Sequence, residues 1–307
     1  MLSKSLLPLP EKWHGLQDVE ERFRKRYLDL LSNPPVKERF MARAKIIGLV
    51  RQFYLKEGYI EVDLPNLQPL AGGATALPFK THHNALDMDF YLPMAQELYL
   101  KELLAGGMNK VFEMGKRFRN EGIDTSHNPE FTMLESNEAY ADAASERAFI
   151  EKLFKFVASD VFGKLQFEYQ GQQIDLEPKF KVMPYPEITD EEYKKEIRPT
   201  LIQPTFLVDY PVSANPFAKK KEDNPNLIDR FQLVIAGIEL INAFSELNNP
   251  IDQKERYLEE DKKGRAGDKE ISPSDLEYLE AMEYGMPPNG GIGIGIDRLV
   301  MLLTDVK

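Results

Sequence analysis

Apolar positions change their spacing along this chain, and each change marks an element. From Val36 to Lys56 the residues Ile46, Ile47, Val50, Phe53 and Tyr54 recur on one helical face, and Gly58 stops that helix before a strand. Alternation over Asn109–Phe118 and Phe131–Tyr140 predicts two antiparallel strands. The connection between them, Arg119–Glu130, is too long for a tight hairpin, and such connections are commonly functional. A helix is expected from about Ala141 to Val161, then a hairpin over Leu165–Ile174 turning near Gly171. Strands near Thr200–Tyr210 and Arg230–Gly237, with helices near Gln253–Lys263 and Ser274–Tyr284, lead to a final glycine-rich strand. Strands in runs with helices between them predict an α+β domain, its antiparallel sheet flanked by helices. Ahead of it, residues 1–35 hold Pro8, Pro10, Pro34 and Pro35 around a charged helical stretch, Val19–Leu31, and read as a leader. Residues 36–307 read as one continuous domain.

The final strand carries the chemistry. Gly291, Gly293 and Gly295 alternate with isoleucines, and the run continues through Asp297 into Arg298. Glycine weakens a strand and is kept where a ligand or another backbone approaches closely. Arg298, just past that floor, offers a fork of donors for phosphate. Phe118-Arg119-Asn120-Glu121 supplies a second fork and a carboxylate that can read an amino group. The pair points to nucleotide activation.

Composition narrows the class. The 307 residues are 42% hydrophobic, enough for a substantial core. The absence of cysteine excludes disulfides and thiolate metal sites. The four histidines, His14, His82, His83 and His127, lack metal-ligand spacing. A net charge of −11 argues against broad nucleic-acid binding while leaving room for a local basic patch against an RNA end. No apolar run reaches membrane-span length and no signal peptide pattern opens the chain, so a cytoplasmic protein without a membrane partner is expected.

Phe118–Glu121 followed by His127-Asn128-Pro129-Glu130-Phe131 resembles motif 2 of class II aminoacyl-tRNA synthetases. The glycine strand with Asp297-Arg298 resembles motif 3, and Gly58–Pro65 resembles motif 1. Ala71–Ala74, Thr81–Asp87 and Asn242–Asn248 are similar to the catalytic domain of bacterial lysyl-tRNA synthetases, over about Leu7 to Thr304. The resemblance implies activation of lysine with ATP and Mg²⁺, a homodimer formed through motif 1, and a tRNA acceptor end as partner. In that family a segment like residues 1–35 links an anticodon-binding barrel to the catalytic domain, and that barrel is expected to be absent here.

By the same resemblance Arg119 and Arg298 are the catalytic phosphate-binding arginines. Glu121, His127, Asn128, Phe131 and Glu239 complete the ATP site, with Phe131 stacking on adenine. Glu239 and Gln232 are the metal positions, taken to lie on one strand, with an amide where the family carries an acid. Gly73, Glu97, Glu135, Asn242, Phe244 and Glu246 are the lysine-binding set, with Glu246 for the side-chain ammonium. An internal Lys or Arg is the alternative partner of Glu246. Ser136, Asn137, Leu77, Pro93, Gln96 and Ser213–Asn215 depart from the family pattern, and the linker Met183–Arg198 is shorter. Two alternatives therefore stand beside a lysyl-tRNA synthetase core. One is a stand-alone ligase passing lysine or a relative to a non-tRNA acceptor such as elongation factor P. The other is a core with altered or lost activity.

Overall fold

Three helices come first. Asp18 caps α1 (Val19–Arg24) by accepting from the Glu21 amide at 2.7 Å, and α2 (Arg26–Ser32) and α3 (Pro34–Lys56) follow. In this computed structural model residues 4, 6–8, 15–124, 127–268 and 271–306 are described, so Pro10 and His14 of the expected leader lie outside them. The single helix expected over Val19–Leu31 is two, because the backbone leaves helical geometry at Lys25 (φ −116°, ψ 56°). Across the break Asp29, fully buried, accepts from Arg22 at 2.8 Å, from Asn33 at 2.6 Å and from Arg26. Burial pushes its carboxyl up, but the Asn33 and Arg22 hydrogen bonds outweigh this and hold it below the usual range. The chain divides into compact units at 1–49 and 50–307, inside α3; the expected boundary at residue 35 falls at that helix's start.

The second unit holds the sheet. Its first strand, β1 (Ile60–Glu61), is followed by a small hairpin, β2 (Lys80–His83) with β3 (Met88–Tyr91), and then by α4 (Glu97–Ala105). The two alternating segments become β4 (Lys110–Phe118) and β5 (Glu130–Ala139), antiparallel with Arg117 opposite Phe131. A capping box at Asp142 and Ser145 starts α5 (Ala143–Phe162), and Gly163 ends it in the left-handed region. The hairpin β6 (Gln166–Tyr169) and β7 (Gln172–Asp175) turns through Gln170 and Gly171, both at positive φ. After β8 (Lys181–Pro184) and the single turn α6 (Asp190–Glu192) come β9 (Thr205–Pro211), β10 (Leu227–Ile235) and β11 (Ile238–Ser245). Helices α7 (Pro250–Arg265) and α8 (Leu276–Glu283) precede the glycine strand β12 (Asn289–Gly295) and α9 (Ile296–Leu303).

Eight strands form one sheet in the order β1-β4-β5-β12-β11-β10-β9-β8. The six central strands are antiparallel, as expected, while β1 and β8 add one parallel strand at each edge. The sequence order therefore folds so that β12, last made, sits between β5 and β11. Aromatic and aliphatic side chains fill the interior on either side: Tyr54, Phe112, Phe149 and Ile150 near α5, and Leu207, Phe217, Phe244, Tyr257 and Tyr278 near α7 and α8.

Candidate active site

Strand register decides which side chains meet. In a sheet, directly opposed residues project to one face. Asn242 on β11 opposes Gly293 on β12, which opposes Glu135 on β5; one rung along, Phe244 opposes Gly291, which opposes Asn137. These six residues border a single cavity of about 660 Å³. The same cavity is bordered by Gly73, Glu97, Arg119, Glu121, His127, Asn128, Phe131, Glu239, Glu246 and Arg298. Gln232 alone among the sequence candidates is not on its wall.

The placement of Glu239 depends on an irregularity. Leu233 opposes Ile241 but Val234 opposes Glu239, so Leu240 is an extra residue in β11. Without it Glu239 and Asn242, an odd number apart, would face opposite ways; the bulge returns Glu239 to the cavity side. The two metal candidates are therefore not on one strand: Gln232 is on β10 and Glu239 on β11, joined by a turn at Ala236 and Gly237. Gln232 is buried, and its Oε1 accepts from the Tyr210 hydroxyl at 2.7 Å.

Two arginines border the cavity. Arg119, at the close of β4, lies 5.3 Å over the Phe131 ring, and its buried Nε has no hydrogen-bond partner. Burial pushes its guanidinium below its ordinary value, with Arg298 adding to this and Glu135 and Glu121 opposing it. Arg119 borders the cavity, and a buried donor left unmatched there suits an incoming anion. Arg298, in the first turn of α9, donates to the Glu239 carbonyl at 3.0 Å and lies 3.3 Å from His127 Nε2. His127 Nδ1 sits 2.8 Å from Asp124; with Nδ1 donating to that carboxylate, Nε2 accepts from Arg298. The Arg119–Glu130 connection thus reaches across to α9. Asn128 braces its turn at Pro129 by donating to the Glu130 carbonyl at 2.6 Å.

Two acids of the wall share a cation. Glu246 is 1% exposed; its Oε1 accepts from Asn137 at 3.1 Å and its Oε2 from Lys101 at 3.0 Å. The same ammonium donates to Glu97 at 2.7 Å. Burial pushes Glu246 up to about 8, against the opposing pull of Lys101. Glu135 is engaged elsewhere: buried Arg117 reaches it at 3.4 Å and also binds Glu113, while the Gln96 amide donates to its second oxygen. Asn242 accepts from Arg230 at 2.8 Å. A Cβ on Gly291 would lie 2.1 Å from Glu246 Oε1 and 2.9 Å from Asn137 Nδ2, so this glycine makes room for a carboxylate of the protein itself.

Residues 18–307 match the sequence model of the tRNA synthetases class II (D, K and N). The chain belongs to that class II family. Three lysine–tRNA ligases resemble it over 99% of its length. That of Pelotomaculum thermopropionicum is 50% identical, with 68% of its own length covered. Those of Carboxydothermus hydrogenoformans and Moorella thermoacetica are 48% and 49% identical, each with 70% covered. The first alignment runs over 345 positions against the 307 residues here, so that class II relative carries internal positions this chain lacks. The α+β reading and the family resemblance both hold.

Three contributors to this class II site escape sequence reasoning: Lys101, Arg230 and Asp124. The spacing Glu97-x-x-x-Lys101 is the one readable signal among them, since residues four apart on a helix are neighbours. It marks an ion pair, without indicating that the pair is buried or shared with Glu246.

Proposed function

We infer that this chain is the catalytic core of a lysine–tRNA ligase, which joins lysine to ATP as lysyl-adenylate and passes it to a tRNA. The observation that carries this is one cavity whose wall includes both Arg119 and Arg298 and both Glu97 and Glu246. A zwitterion with a second ammonium matches those groups: Glu97 for the α-amine, Glu246 for the side chain, Arg119 for the carboxylate. Gly73, Asn242 and Phe244 shape the wall between. The reading is strengthened by relatives that are themselves called lysine–tRNA ligases. Those names favour tRNA over a protein acceptor.

In the reaction the lysine carboxylate attacks the α-phosphorus, a carboxyl–phosphate bond forms and pyrophosphate leaves. No protein nucleophile is needed, only positive charge where negative charge develops. Arg119 bridges carboxylate and α-phosphate; Arg298, supported by His127, holds the γ-phosphate; Phe131 and Glu121 receive the adenine face and its amino group. The adenylate carbonyl is then attacked by a ribose hydroxyl of the tRNA end, and AMP leaves. Glu239 is the one carboxylate of the metal pair; it borders the cavity, and its backbone carbonyl accepts from Arg298. One carboxylate plus phosphate oxygens suffices for Mg²⁺, which supplies neutralisation of the phosphate charge. Gln232, already bonded to Tyr210, contributes at most an uncharged oxygen.

No helix among the described residues is long and apolar enough to cross a membrane, and a cytoplasmic homodimer fits this reading. Leu55, near the end of α3, and Ile60, on the motif 1 strand itself, are each about half exposed and are among the apolar positions offered to a second copy. The protein is therefore expected to elute at twice its chain mass; a monomer at micromolar concentration contradicts this.

Hydroxylamine trapping tests the function. With ATP, Mg²⁺ and lysine, lysine hydroxamate should accumulate, and Arg119→Ala should slow it by at least about a hundredfold with little change in melting temperature. Absence of hydroxamate from the parent protein would refute the reading.

A further inference from the structure

The lysine-selecting carboxylates are already bridged by a lysine of the protein. Lys101 is fully buried on α4; its Nζ lies 2.7 Å from Glu97 Oε1 and 3.0 Å from Glu246 Oε2. Behind it stand the faces of Phe217 at 4.6 Å and Tyr278 at 5.0 Å. Glu97 and Glu246 border the cavity and Lys101 does not, so the ammonium sits behind the two carboxylates that a substrate would meet. We propose that Lys101 is a positioning residue for amino-acid selection, a resident counter-ion that holds Glu97 and Glu246 in place for the ammonium groups of an incoming amino acid. The proposal rests on the lysine-activating reading given above.

Charge and geometry support it. Two carboxylates share one ammonium, so the second charge is costly and Glu246 holds a proton up to about pH 8 unless a cationic substrate arrives. Removing Lys101 would leave both acids buried without a counter-ion, and such groups take up protons rather than stay charged. A protonated acid no longer attracts an ammonium. The groups set against the Glu97–Lys101–Glu246 cluster come from four further elements: Glu135, toward Glu97, and Asn137 on β5, Glu146 on α5, Tyr257 on α7 and Tyr278 on α8. Burial raises Glu246 and Glu97, and in both Lys101 is the largest opposing influence. Lys101 itself stays well above its ordinary value because Glu246 and Glu97 outweigh its burial. Asn137, by donating to Glu246 from the opposite side, completes the clamp at 3.1 Å.

The experiment is lysine-dependent ATP–pyrophosphate exchange between pH 6 and 9 for the parent, Lys101→Met and Lys101→Arg. In the parent, KM for lysine should fall as pH rises toward about 8, where Glu246 loses its proton. Lys101→Met should raise KM for lysine at pH 7 by about tenfold or more and move that fall to higher pH, a tenfold change for each unit of displacement. Its kcat and its KM for ATP should stay close to the parent's, and Lys101→Arg, which keeps the charge, should keep the parent's pH profile. An unchanged lysine KM and pH profile in Lys101→Met overturns the proposal. So does a joint loss of kcat and ATP affinity with the pH profile unmoved, which is the mark of a merely structural lysine. Should Lys101→Met not fold, Lys101→Gln, whose amide still donates to either acid, carries the same expectations. Absence of lysine-dependent exchange in the parent refutes the underlying function instead, before any variant is compared.

Discussion

Gly291 and Gly295 belong to the same strand and answer to different neighbours. A Cβ at Gly291 collides with Glu246 and Asn137, whereas at Gly295 the nearest atom is Arg298 Cδ at 3.6 Å. Gly291→Ala should therefore displace the selecting carboxylate and raise KM for lysine by about tenfold or more, with ATP binding retained. Gly295→Ala should leave stability within about 0.5 kcal/mol, so that any loss appears in KM for ATP; a lysine-specific loss would show the strand to be misread. The glycine pattern was legible from the sequence, but it suggested a floor cleared for ligand, and only the placement of Glu246 shows that the protein uses part of that space. Glu146 is a second residue-scale case. Both its oxygens are buried without a hydrogen-bond partner, and burial, reinforced by Glu138, pushes it up to about 8. Folded, it binds a proton that the unfolded chain releases near its ordinary carboxylate value of about 4.3. Its stabilising contribution is thus complete below that value and is lost as pH rises to about 8, by up to about 1.4 kcal/mol per pH unit. Glu146→Gln should raise the melting temperature at pH 8 and match the parent near pH 4; equal melting curves at pH 8 would remove this account.

Elements with a clear hydrophobic period were readable, and two others were not. β4, β5, α5, α7 and α8 lie within a few residues of their expected positions because polar and apolar residues alternate or cycle along them. α4 gave no such signal: Leu98, Leu100, Lys101 and Leu104 are all buried, and Gln96 caps it without a side-chain hydrogen bond. A lysine at such a position reads as surface, which is why the helix holding both Glu97 and Lys101 went unseen. β11 left no signal either, and the Leu240 bulge that aims Glu239 interrupts its alternation. The β10–β11 turn offers a test at this scale. Ala236 and Gly237 both have positive φ, at 51° and 72°, as a two-residue hairpin turn requires. Ala236→Gly should stabilise the fold by about 0.5–1 kcal/mol without loss of activity, measured by denaturant unfolding. Gly237→Ala should destabilise it, since its Cβ would lie 3.2 Å from the Pro199 backbone.

At the scale of the molecule, the site is assembled from segments far apart in sequence. The sheet order inserts β12 between β5 and β11, which brings Gly291 beside Asn137 and Phe244, and α9 carries Arg298 back to His127. Short motifs revealed most of the cavity wall because each motif stays intact on one element. Pairings between motifs, such as Lys101 with Glu246 or Gln232 with Tyr210, depend on the fold and left no local trace. The outcome is a protein of net charge −11 whose cavity wall carries two arginines together with two acids that share a buried lysine. That lysine selection by this set of charges is the central claim, and ATP–pyrophosphate exchange with each of the twenty amino acids tests it most directly. Exchange dependent on lysine, and lost in Glu246→Gln, is the predicted result. Exchange supported by an uncharged amino acid and indifferent to Glu246→Gln would contradict it.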